Sequence, residues 1–171
     1  MGLNRDTIKA RFEIVNDELK AQNISVECIL IGGAAGIFLS ENVRPTMDID
    51  VFLKNQVTNK EVNEIFDENF IEAVTVASVP DPEEMTISDR LTWSNLIVYI
   101  PDFYSLAITK LFTDRKKDEE DLLSYILPGI SDFDKLDELI RESRIDYVGN
   151  INNPFLNVNR LDDYKKELNI K

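Results

Sequence analysis

Residues 29–54 read ILIGGAAGIFLSENVRPTMDIDVFLK. An apolar run ends at Gly32-Gly33, and a second apolar run carries Asp48 and Asp50, one residue apart. Side chains two apart on a strand share a face. The pattern therefore predicts two carboxylates pointing together while Ile49 and Val51 point into a core. Like charges at that spacing repel unless something positive lies between them. A hard divalent cation meets that need, because Mg²⁺ takes oxygen ligands from one or two carboxylates and from substrate phosphates. Two solvated acids on an edge strand would give the same pattern. Glycines where a strand turns into a helix let the backbone approach a phosphate, and the helix start offers free N–H groups. By themselves, Gly32 and Gly33 could equally mark a tight turn.

Outward from this stretch, hydrophobic spacing sets out the remaining elements. Ile8, Phe12, Val15 and Leu19 recur at helical spacing over residues 4–21. Residues 27–31 read as a strand, 34–40 as a short helix and 47–53 as the acid-bearing strand. Thr58, Asn59, Lys60 and Glu61 form a capping box ahead of a helix with Val62, Ile65 and Phe66 inward. Strands are expected at 72–79 and 96–100, with a turn at PDPEE between them. Helices follow at 103–113 and 117–127. Ser131 is the expected cap of a helix burying Phe133, Leu136, Leu139 and Ile140. Residues 149–159 read as an Asn-rich loop before a last short helix. The outline is α+β: residues 1–102 an α/β core with an N-terminal helix, residues 103–171 a helical portion packed on it as one compact unit.

Composition narrows the chemistry. The chain of 171 residues has no histidine, which removes the commonest general base and any Ser–His or Cys–His dyad. Cys28 is the single cysteine, so no internal disulfide forms, and a reducing cytoplasm is the expected location. No apolar run reaches the ~18 residues of a membrane span, and MGLNRDTIKARFEIV lacks the apolar centre of a signal peptide. With 32 acidic against 19 basic residues, the net charge is −13. That field repels nucleic acid, so DNA is not an expected partner. A protein, a small molecule or a metal-neutralised site fits better, although Arg115, Lys116 and Lys117 could form a local basic patch.

Ile31-Gly32-Gly33, followed by Arg44-x-Thr46-x-Asp48-x-Asp50-Val51, resembles the signature of the polymerase β-like nucleotidyltransferase superfamily. It is most similar to the small bacterial enzymes akin to abortive-infection and toxin–antitoxin nucleotidyltransferases. The similarity extends to Lys110-Leu111, Arg115, Lys117-Asp118 and Asp121-Leu122. It implies a small mixed sheet flanked by helices, Mg²⁺ or Mn²⁺ on Asp48 and Asp50, and a nucleoside triphosphate held by Gly32, Gly33, Arg44, Thr46, Lys110 and Arg115. It also implies that Asp118 positions or deprotonates a hydroxyl acceptor, which could be a protein, a small molecule or RNA, and that a cognate antitoxin could be a partner. Helical spacing agrees on one point. Lys110 lies beside Leu106 and Ala107, where a cation needs anions to face it unless it snorkels outward.

The resemblance also calls for a third carboxylate on a later strand, and SNLIVYIP is the strand expected to bear it. That segment offers only Ser94 and Asn95, with Asp102 past its end. Asn95 could ligate a metal but cannot take a proton. A binding module that does not turn the nucleotide over therefore stands as the alternative, and an α/β protein with no ligand as a third. Trp93 and Tyr99 read as packing residues or, more sharply, as base-stacking ones. Arg90 could pair on the surface or touch a phosphate.

Overall fold

The computed structural model describes residues 2–54, 59–74 and 79–170. The chain folds as two units: Met1–Val76 with Thr86–Asp102, and Ala77–Met85 with Phe103–Lys171.

The first unit contains α1 (Arg5–Ala21), β1 (Val26–Ile31), α2 (Gly32–Leu39), β2 (Ile49–Leu53), α3 (Lys60–Glu68), β3 (Ile71–Val74), β4 (Ile87–Thr92) and β5 (Leu96–Pro101). The strands form one mixed sheet in the order β3-β2-β1-β5-β4. β1 is antiparallel to β2 and parallel to β5, β2 is parallel to β3, and β4 is antiparallel to β5. The parallel β2–β3 pair needs a crossover, and α3 supplies it.

Apolar alternation fixes the buried face. Val26, Cys28 and Leu30 from β1, Ile49 and Val51 from β2, and Leu96, Val98 and Ile100 from β5 are buried. Ile8, Phe12, Val15 and Leu19 of α1 and Val62, Ile65 and Phe66 of α3 are buried as well, on the helical spacing expected of them. Burial pushes the Cys28 thiol up, so it stays a neutral core group. Asn4 caps α1 in a reciprocal box with Thr7. Asn59 caps α3 through the Glu61 amide at 2.8 Å, and Thr58 of the expected box lies outside the described residues.

One strand starts later than expected: β2 begins at Ile49, so Asp48 precedes the strand proper. Of the expected strand 72–79, residues 75–78 lie outside the described residues, and β3 is Ile71–Val74. β4 is unforeseen: five of its six residues are exposed, so it shows no apolar alternation. Its strand character comes from pairing with β5. Asn95 proves to be a brace, as its backbone N–H donates to Asn16 Oδ1 (2.7 Å) and its side chain to the Ile24 carbonyl (3.0 Å). Trp93 packs against Phe12, ring centroids 6.2 Å apart. Tyr99 donates to Glu27 and lies under the Lys54 ammonium.

The second unit is helical: α4 (Phe103–Leu111), α5 (Lys116–Asp121), α6 (Phe133–Asp146) and α7 (Leu161–Glu167). A π turn over Leu122–Ile126 and a 3₁₀ turn over Leu127–Gly129 replace the second half of the expected 117–127 helix. Asp132, not Ser131, caps α6 by accepting from the Lys135 amide, while Ser131 faces the Tyr104 hydroxyl. Tyr164 is fully buried, and its hydroxyl donates to Asn157 Oδ1 at 2.7 Å. Desolvation, reinforced by the nearby charge of Glu119, pushes this phenol up to about 12. The folded state thus favours the neutral form, and its advantage holds below the unfolded value of ~10 and is lost as pH rises through the folded one. The melting temperature of the wild type should fall more steeply between pH 10 and 12 than that of Tyr164→Phe; parallel curves in a pH series of melts would refute this.

Candidate active site

The glycine turn and the acid strand meet in the first unit. Gly32 has φ +67°, a left-handed conformation that disfavours a side chain. A Cβ there would lie 3.4 Å from Asp50 Oδ2. Gly33 faces Thr46 in the same way, with a would-be Cβ 3.2 Å from the Thr46 Cβ. Register explains the first contact, because Asp50 stands opposite Ile31, the residue before Gly32.

Local bonds fix the approach of the acids. Thr46 is buried, its carbonyl accepts from the Leu3 amide (2.8 Å), and its hydroxyl accepts from the Asp48 amide (3.3 Å). Arg5 of α1 donates to the Ile37 and Phe38 carbonyls at the end of α2 (3.1 and 3.2 Å). A cation there suits the negative end of the helix and steadies the element that begins at the glycines. Arg44 is half-buried in the segment leading to β2.

A third carboxylate adjoins this pair, on a strand other than the expected one. The SNLIVYIP segment carries no acid, and its strand, β5, neighbours β1 and not β2. β3 is the neighbour of the acid strand, and Glu72 pairs in register with Asp50. Residues in register on parallel strands share a face. Asp48, Asp50 and Glu72 line one cleft of about 520 Å³, together with Arg11, Asp67 and Phe70. The available signal was Glu72 at the start of an apolar run after a helix, and only strand order could single it out.

The donors are all oxygens, which suits a hard dication and not a thiophilic metal. Among the described residues no three acidic or cysteine side chains converge to hold an ion. A cation in this cleft would therefore rest on the two aspartates and on oxygens of substrate and water.

The other residues singled out from sequence cluster in the second unit. Lys110 is buried, its ammonium 2.7 Å from Asp118 Oδ1 and 3.1 Å from Asp121 Oδ2. Asp118 also accepts from the Thr113 hydroxyl (2.7 Å), and exposed Arg115 stands 3.8 Å away. Asn157 donates to the Lys110 carbonyl (3.1 Å), which ties this cluster to Tyr164. The anions that Lys110 requires are thus present within its own unit. Asp118 and Asp121 share a helix face by their spacing, whereas Asn157 had no local signal.

A strand–glycine–helix unit beside an Asp-x-Asp strand in a small mixed sheet is the arrangement of a nucleotidyltransferase-type α+β protein. The chain belongs to the family described as nucleotidyltransferase of unknown function (DUF6036), whose model matches residues 8–168. That range takes in the glycine turn, the three cleft carboxylates and the Lys110 cluster. Comparison with curated proteins and with solved structures finds no match. Among the described residues no helix is long and apolar enough to cross a membrane.

Proposed function

We propose that the protein transfers a nucleoside monophosphate from a nucleoside triphosphate to a hydroxyl acceptor, with Asp48 and Asp50 as the ligands of Mg²⁺ or Mn²⁺. The observation that carries this is the approach of Asp50 Oδ2 to the side-chain-free face of Gly32. A phosphate on the glycine turn would lie beside the acid strand.

When bound, the dication supplies charge neutralisation and Lewis acidity at the α-phosphorus. Gly32 and Gly33 leave room for the polyphosphate, and the first N–H groups of α2 point at it. Arg44 and Thr46 flank that turn. The acceptor oxygen forms the new P–O bond, the bridging α–β P–O bond breaks, and pyrophosphate leaves. Glu72 takes the acceptor's proton. Removing the proton acceptor while leaving the ligands in place should slow transfer by about 10²-fold. Glu72→Gln should therefore lose that much transfer of label from NTP to lysate or total RNA, while its melting temperature still rises with Mg²⁺ and ATP. Full activity in Glu72→Gln would remove it from the chemistry.

The roles that the resemblance implies for Lys110, Arg115 and Asp118 stay in the proposal under one condition. Lys110 must leave Asp118 and Asp121 to meet a phosphate, and Asp118 must shed Lys110 and Thr113 to accept a proton. Exposed Glu72 is the readier base. The net charge of −13 favours a protein or small-molecule acceptor over RNA. A place in a toxin–antitoxin pair is a further part of this reading, tested by whether co-expression with neighbouring genes relieves growth arrest. A nucleotide-binding module without turnover is the second reading, and calorimetry showing Mg²⁺·NTP binding with no transferred label would select it. Its support from sequence was the missing strand carboxylate, and the register of Glu72 with Asp50 weighs against it.

A further inference from the structure

The wall of the acid cleft on the β3 side carries two groups that the transfer scheme does not use. Arg11, from α1, is the one basic side chain among the residues lining the cleft. Its Nη1 is buried and has no hydrogen-bond partner among the described residues. Its guanidinium stands 5.9 Å over the ring of Phe70, within the range of a cation–π contact. Phe70 is 77% exposed, and its backbone is left-handed at φ +60°. Such a conformation is disfavoured for a bulky residue, and it places an aromatic ring at the rim of the cleft instead of in the core.

Strand order says which substrate these groups would meet. Asp50 lies between Ile31, which leads to the glycine turn, and Glu72. Entering and leaving oxygens are roughly in line at the phosphorus. With the pyrophosphate on the glycine side, the attacking hydroxyl must come from the Glu72 side, where Arg11 and Phe70 stand.

On that basis, and resting on the transfer reaction proposed above, we infer that Arg11 and Phe70 form the acceptor subsite, and that the acceptor carries an anionic group beside a planar ring. The Arg11 side chain lines the cleft, and a phosphate or carboxylate oxygen there would make a charge-assisted hydrogen bond with its guanidinium. The exposed face of Phe70 is matched by a ring. A cationic acceptor would be drawn to Asp67 and Glu72 but would confront Arg11, so the sign of the acceptor's charge is the decisive question.

The test uses the full chain with Mg²⁺ and saturating α,β-methylene-ATP, so that the glycine turn is occupied. Phenyl phosphate and benzylamine are then titrated and followed by amide shifts in NMR. Phenyl phosphate should bind more tightly than benzylamine. Arg11→Met should weaken phenyl phosphate by about tenfold or more, the loss of one hydrogen bond to a charged group. Arg11→Lys should recover part of that loss. Phe70→Ser should weaken phenyl phosphate but not inorganic phosphate. None of the three variants should change the melting shift given by Mg²⁺ and the ATP analogue. Tighter benzylamine binding, unchanged phenyl phosphate affinity in Arg11→Met, or an equal loss of analogue binding would each overturn the assignment. If the wild type shows no melting shift with Mg²⁺ and the analogue, the transfer reading fails by itself. The phenyl phosphate series, repeated without nucleotide, then still decides the subsite.

Discussion

Asp50→Asn should abolish Mg²⁺-dependent transfer, lowering it by about 10³-fold, the upper range for removing one preorganised electrostatic group from a transition state. Asparagine keeps the volume and one acceptor oxygen but not the charge that a dication requires. Position explains why Asp50 should matter. Its carboxylate is the one against the glycine turn, and it stands in register with Glu72. The variant should also lose the rise in melting temperature with Mg²⁺ and ATP, since only a ligand that binds the native state raises it. Without ligand it should melt within a few degrees of the wild type, because Asp50 is a half-exposed position on a strand whose core residues are Ile49, Val51 and Phe52. Asp48→Asn should follow the same course. Transfer at the wild-type rate by both variants would end the metal-dependent mechanism.

Lys110→Met should cost about 3–5 kcal/mol, the usual effect of removing one partner from a buried ion pair. At this chain length that is a fall of roughly 6–20 °C in melting temperature. Lys110 is the cation that faces Asp118 and Asp121 in the core of the second unit, and its side chain is 8% exposed against 3% and 0% for theirs. Its removal leaves carboxylates facing each other out of water. Replacing all three, as Lys110→Met with Asp118→Leu and Asp121→Leu, should restore much of the loss, because apolar groups of similar volume need no partner. That triple variant also separates stability from chemistry. A well-folded triple variant with no transfer would place the cluster in the reaction, as the family resemblance implies. One that transfers label normally would confine it to folding.

These two expectations differ in how far they could be seen in advance. The acid pair was legible because its signal is local: alternation along a short apolar run, after a strand that stops at two glycines. The surroundings of Lys110 were half legible, since Asp118 and Asp121 are spaced for one helix face while Asn157 reaches the cluster through the fold. Glu72 was not legible. Nothing in FIEAVTV distinguishes it from a solvated glutamate until β3 is known to lie beside β2. The expected donor segment carries no acid, and its strand, β5, pairs with β1. β4 escaped because it is an exposed edge strand, where no buried face imposes an apolar pattern.

What the sequence determined alone was the set of elements that bury a periodic face, the exclusion of histidine chemistry, and the pairing of a glycine turn with two alternating acids. These follow from short-range rules of spacing and backbone freedom. What only the tertiary structure decided was strand order, which sets Glu72 beside Asp50, and the packing that sets Arg11 against Phe70 and brings Asn157 to Lys110. Pairing between strands is set by which faces can be buried together across the whole sheet, so no window along the chain contains it.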